Sequence, residues 1–106
     1  MRTEHSAVRE ACEALAKRSL AEVVWLECDA AGNADMASLD RILETRAAEI
    51  ALVSVMWANN ETGAVQPIAE IGARCRARGV RFHTDATQWV GRMPCDLRSM
   101  HVDLAS

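Results

Sequence analysis

At 106 residues, 50% hydrophobic and 25% charged, the chain has the composition of an ordinary globular protein and the length of one domain or less. Twelve basic against fifteen acidic residues leave a formal charge of -3, so nothing favours nucleic acid, and Arg74, Arg76 and Arg78 read as the solvated side of one short helix. No apolar run approaches the roughly 18 residues of a membrane span, and Met1-Arg2-Thr3-Glu4 leads into a polar helix rather than a signal sequence, which predicts a cytoplasmic protein that meets no membrane.

Between His5 and Arg18, Val8, Ala11, Cys12 and Leu15 recur at three- and four-residue intervals, with Arg9, Glu10, Glu13 and Lys17 on the other side, which predicts an amphipathic helix. Thr3 or Ser6 is its expected cap, so His5 falls in the first turn or just ahead of it. The run Val23-Val24-Trp25-Leu26 predicts a strand over Glu22 to Leu26, closed by the turn residues from Asp29 to Asn33. A second helix begins at Asp35, a good N-cap, and buries Met36, Leu39, Ile42 and Leu43, with no clear signal for its end.

Ile50 to Trp57 is an almost unbroken apolar run without period-2 alternation, as expected of a strand covered on both faces in a parallel sheet. It opens into Asn59-Asn60-Glu61-Thr62-Gly63, a loop of residues that tolerate left-handed backbone. Pro67 starts a third helix and Gly79 ends it, with Ile68, Ile71 and Cys75 inward and Glu70 pairing with Arg74 on the wet side. A strand from Arg81 to Asp85, a loop through Val90, Gly91 and Pro94, and a further strand from Val102 to Ala105 complete the pattern. Helices alternating with strands predict an α/β domain with a mostly parallel sheet.

In such a sheet, chemistry gathers at the carboxyl ends of the strands, where Phe82-His83-Thr84-Asp85-Ala86-Thr87-Gln88 delivers a carboxylate, a hydroxyl and an amide together. Asp85 is the first candidate there. His83 and Asp85 could hold a metal only with a third ligand, which the spacing does not offer. There is no G-x-S-x-G elbow and no G-x-G-x-x-G turn, which excludes the serine hydrolases and dinucleotide enzymes that use them. The four cysteines, Cys12, Cys28, Cys75 and Cys95, form no C-x-x-C pair and no zinc spacing with His5, His83 or His101, and read as small buried apolar residues. Taken singly, His5 reads as an ordinary histidine, Asn60 as a turn residue, and Asp85 as a cap or turn former.

Jointly they carry a resemblance. Thr3-Glu4-His5-Ser6-Ala7-Val8, the stretch from Val53 through Trp57-Ala58-Asn59-Asn60-Glu61-Thr62-Gly63, Gln66-Pro67-Ile68, and Phe82 to Gln88 with Val90-Gly91 and Pro94 closely resemble the NifS/IscS cysteine desulfurases, of the class V aminotransferase group. The resemblance covers essentially the whole chain. It implies part of the large domain of the pyridoxal-phosphate-dependent transferases of fold type I, with residues 1–106 as one partial domain, the middle segment of that large domain. It also implies pyridoxal 5'-phosphate as cofactor and L-cysteine as substrate, giving L-alanine and an enzyme persulfide for iron-sulfur cluster assembly. A scaffold or other sulfur-acceptor protein and a second copy of the enzyme are the implied partners.

By the same resemblance, His5 matches the histidine that stacks on the cofactor ring and moves protons in catalysis. Asn60 matches the asparagine near the ring hydroxyl and substrate carboxylate, Asp85 the aspartate paired with the pyridine nitrogen, and Gln88 the glutamine bonded to the ring oxygen. The family's cofactor-linking lysine is expected beyond Ser106, its phosphate loop before Met1, and its sulfur-accepting cysteine further on; none of the four cysteines matches that nucleophile. Lys17 is the single lysine, so the chain by itself is expected to be inactive. The alternative is a non-catalytic remnant or an α/β domain that packs against a partner.

Overall fold

The computed structural model describes residues 1–106. Helix α1 (Ser6–Lys17) forms where the apolar repeat predicts it, but its cap is neither Thr3 nor Ser6. Ser6 is already helical, and His5 takes the cap position, its Nδ1 accepting the Ala7 amide at 3.3 Å. No residue of α1 is buried, so its apolar stripe finds little cover within the chain; Val8 and Cys12 alone reach half-burial.

The strand expected over Glu22 to Leu26 does not form. A strand is defined by its partner, and the backbone from residue 22 to 26 bonds to no other strand here, leaving Val24 49% exposed and only Leu26 buried. The turn after it is as expected. Asp29 accepts the Ala31 and Asn33 amides at 2.9 Å each, and those bonds, led by the Asn33 side chain, hold its carboxyl below the usual range.

Asp35 caps α2 (Met36–Arg46) by accepting the Ala37 and Ser38 amides, filling two donors that a helix start leaves open. Leu39 and Leu43 are buried, while Met36 and Ile42 pack at the margin of the core. The end that the sequence left unmarked is a 3-10 turn at Ala47–Glu49. There Arg46 forks onto Glu22 at 3.0 and 2.9 Å and also holds Glu49 at 2.9 Å.

The sheet has three parallel strands in the order β1 (Val53–Ser54), β2 (Phe82–Thr84), β3 (Leu104–Ala105). Val53 lies opposite Phe82 and His83 opposite Leu104. The regular part of β1 is far shorter than the apolar run from Ile50 to Trp57, and Leu52 is 43% exposed, so the run is not covered on both faces throughout. Pairing nevertheless continues past the strand: Val53, Val55 and Trp57 donate in turn to the carbonyls of Arg81, His83 and Asp85. That ladder brings Trp57 level with Asp85.

Helix α3 (Ile68–Ala77) connects β1 to β2 after Pro67, and the chain leaves it through Gly79 at φ 68°, a left-handed position that glycine suits. Ile68, Ile71 and Cys75 face the core, where Phe82, Val55, Leu39 and Leu43 meet them. On the wet side Arg74 holds Asp40 at 2.9 Å and Glu70 at 3.3 Å, so the expected pair is present and also ties α3 to α2. Cys75 is buried, but Cys12 and Cys28 are only half-buried and Cys95 is exposed, which corrects the common burial expected of the four. No helix is long and apolar enough to cross a membrane.

Gly72 lies in α3 where the carbonyls of Met100 and His101 pass against it, so an added Cβ would meet backbone. Helix propensity would favour alanine by about 1 kcal/mol, whereas overpacking against backbone costs about 1–3 kcal/mol or more. Gly72→Ala is therefore expected to lower the denaturant midpoint of the folded protein. A raised midpoint would show that residues 97–101 do not cross α3.

Candidate active site

The carboxyl ends of β1 and β2 open side by side, which brings the loops after Trp57 and after Asp85 together. Asp85 is buried, 6% exposed, and its Oδ1 accepts the Thr87 amide at 3.0 Å. Its Oδ2 takes no hydrogen bond from the protein and is not sealed from solvent. A carboxylate held by one oxygen with the other open is suited to a cationic or N–H partner. Gln88 is half-buried three residues on, and its Oε1 accepts from Arg92 at 2.9 Å, leaving its NH2 free to donate.

Asn60 is exposed on the loop after β1, at the same edge of the sheet as Asp85. Its neighbour Asn59 builds that loop: Oδ1 accepts the Glu61 and Thr62 amides at 2.8 and 2.9 Å, and Nδ2 donates to the Thr3 carbonyl at 2.7 Å. The last bond pulls the segment before α1 onto the site. Glu4 completes the attachment, with Oε1 accepting the Met56 amide at 2.9 Å, and so His5 is carried to the exit of β1. With Nδ1 used as the cap acceptor, a neutral His5 holds its proton on Nε2.

The contacts that assemble this edge were not found by reading the sequence. Glu4 is 5% exposed, its Oε2 has no partner, and burial raises its pKa against the pull of the Met1 ammonium and the Met56 amide. Gln66, 4% exposed, accepts the Ala34 amide at 2.9 Å and donates to the Gly32 carbonyl at 2.7 Å, tying the turn after residue 28 to the loop after β1. Trp57 and Trp89 stack with centroids 4.7 Å apart and an interplanar angle of 11°. Only Asn59 offered a local signal, its Asx-turn chemistry; the others act across long separations.

The aminotransferase class-V pattern fits the chain over residues 1–106. The chain belongs to the aminotransferase class-V family. Among class-V relatives, the chain is 44% identical over 106 residues to the cysteine desulfurase IscS of Glaesserella parasuis serovar 5, covering 100% of itself and 25% of that protein. A solved NifS-like protein superposes with a TM-score of 0.86 at 30% identity, covering 97% of this chain and 28% of the other. SspA in complex with cysteine superposes at 0.84 and 30% identity, over 98% and 29%. The class-V chain thus spans about a quarter of the length of the curated relatives it matches. Its fold is that of part of the large domain of fold type I transferases, as expected.

Two surface depressions on this class-V chain lie away from the candidate site residues. One of about 600 Å³ is lined by Glu27, Cys28, Asp29 and the start of α2, another of about 480 Å³ by Arg76, Arg81, Arg98 and Asp103; neither includes His5, Asn60, Asp85 or Gln88. No group of three metal-ligating side chains occurs, and His83 is instead held between hydroxyls. Ser54 Oγ lies 2.8 Å from its Nδ1 and Ser106 Oγ 3.2 Å from its Nε2, a line from β1 through β2 to the residue that follows β3.

Burial lowers the pKa of His83 from 6.5, and the Asp85 charge opposes that shift. Below about 6.5 the unfolded chain therefore binds more protons than the folded one. The His83 contribution to stability is full above 6.5 and is lost as the pH falls toward the folded value. Glu4 works the other way, contributing below 4.5 and losing it as the pH rises through its raised folded value. His83→Gln is expected to flatten the fall in denaturant midpoint between about pH 7.5 and 5.5. An unchanged slope would contradict the titration.

Proposed function

We propose that the chain is the middle segment of the large domain of a pyridoxal-phosphate-dependent cysteine desulfurase. The complete polypeptide takes sulfur from L-cysteine, releases L-alanine and holds the sulfur as a persulfide for iron-sulfur cluster assembly. The observation that carries this reading is Asp85: a buried carboxylate at a strand exit, one oxygen fixed by Thr87 and the other open. Similarity to IscS and to a protein solved with cysteine supports the substrate class.

The donor set suits the cofactor. Bound pyridoxal phosphate supplies an electron sink for bond changes at the substrate's alpha carbon. Asp85 would favour a protonated pyridine nitrogen, the Gln88 NH2 would be free to donate to a ring oxygen, and Asn60 would orient the ring hydroxyl or the substrate carboxylate. His5 presents a flat ring to cover one face and a proton on Nε2 that it can hold or give.

Cys75 does not fit the persulfide role, since burial, with the Asp103 charge second, pushes its thiol up to about 11 and disfavours the thiolate. The sulfur-accepting cysteine and the cofactor-linking lysine belong to other parts of the complete polypeptide. A homodimer working in the cytoplasm with an iron-sulfur scaffold or another acceptor protein is part of the same proposal.

The test supplies the complete polypeptide with pyridoxal phosphate and L-cysteine and follows the products. Alanine and protein-bound persulfide are expected in equal early amounts. A keto acid formed without alanine would assign the protein to the transaminating branch instead.

A further inference from the structure

Two turns must keep fixed positions for the proposed site to work, one bearing Asn60 and the other running from Asp85 to Gln88. The second is anchored at its start, where the Trp57 amide donates to the Asp85 carbonyl at 2.9 Å. Its far end reaches Trp89, whose indole stacks on Trp57 at 4.7 Å and 11° and whose Nε1 donates to the Pro94 carbonyl at 3.0 Å. Trp57 is 3% exposed and itself fixed, its carbonyl accepting the Gln66 amide at 2.8 Å. Trp57 therefore grips the Asp85–Trp89 turn at both ends, by backbone at one and by ring at the other, while Asn60 follows it by three residues.

We propose that Trp89, through its stack on Trp57, is a positioning residue that sets Asp85 and Gln88 relative to Asn60. The proposal rests on the reading of these turns as cofactor-binding, and it concerns geometry that exists without the cofactor. Stacked aromatic pairs contribute beyond the area they bury, and a turn held at one end opens more often than one held at both.

Hydrogen exchange in the complete polypeptide tests it, comparing Trp89→Ala and Trp89→Phe with the parent. The Thr87 amide, which donates to Asp85, reports the turn; the Val53 amide, which donates to Arg81 at 2.9 Å, reports the far end of the same ladder. Thr87 exchange is expected to speed up by about tenfold in the alanine variant and to stay within about threefold of the parent in the phenylalanine variant, with Val53 unchanged. Unaltered Thr87 exchange in Trp89→Ala would overturn the proposal. Equal acceleration at Thr87 and Val53 would do the same, because the ring would then support the fold at large, and failure of phenylalanine to rescue would assign the effect to the Pro94 bond instead. Pyridoxal phosphate binding is measured on the same samples and is expected to weaken in step with Thr87 exchange. A parent that binds no cofactor would refute the functional reading while the exchange data still judge the positioning.

Discussion

Asp85→Asn in the complete polypeptide is expected to lower the rate of alanine formation from cysteine by on the order of 10²-fold or more, the size of effect seen when one aimed electrostatic group is removed. The amide oxygen of asparagine can still accept the Thr87 amide that Asp85 Oδ1 accepts at 3.0 Å, and the two side chains have nearly the same volume, so the turn survives. What disappears is the negative charge that, in the proposed site, would favour a protonated pyridine nitrogen and so drive the chemical step. The loss should therefore fall on kcat and on kcat/KM alike, with a small change in thermal midpoint. A near-parental rate would remove Asp85 from the site.

The 106-residue polypeptide alone is expected to retain no pyridoxal phosphate through dialysis and to release no alanine from cysteine. Lys17, its single lysine, lies at the exposed end of α1, about 18 Å along the helix from His5. An amine there cannot stand beside His5 at the start of the same helix. The fold is also under-covered: its accessible surface is 6614 Å², against about 5,800 Å² for a typical monomer of this mass. No residue of α1 is fully buried, Leu20, Val90 and Met93 are more than half exposed, and β1 and β3 are both sheet edges. Self-association is expected at ordinary concentrations. A monomer that unfolds cooperatively, or one that turns over cysteine with retained cofactor, would contradict this expectation.

How far the fold was legible depended on how local its causes are. Asp35, Pro67 and Gly79 mark helix ends through their own local chemistry, and the start of α2 and both ends of α3 follow from them. Val23 to Leu26 has the composition of a strand but no partner in this chain, and composition cannot supply one. The Glu4–Met56 and Gln66–Gly32 bonds join residues 52 and 34 positions apart, so no periodicity could announce them. The site was legible in a different way. Asp85 and Asn60 stand at neighbouring strand exits, as the alternation of elements predicts, whereas the roles proposed for them come from the family resemblance.

The claim on which the rest depends is that Asp85 faces the pyridine nitrogen of bound pyridoxal phosphate. Nitrogen NMR of ring-labelled cofactor in the complete polypeptide reads that atom directly. A protonated ring nitrogen in the parent at neutral pH, and a deprotonated one in Asp85→Asn, is the expected result. The same protonation state in both proteins would contradict the account.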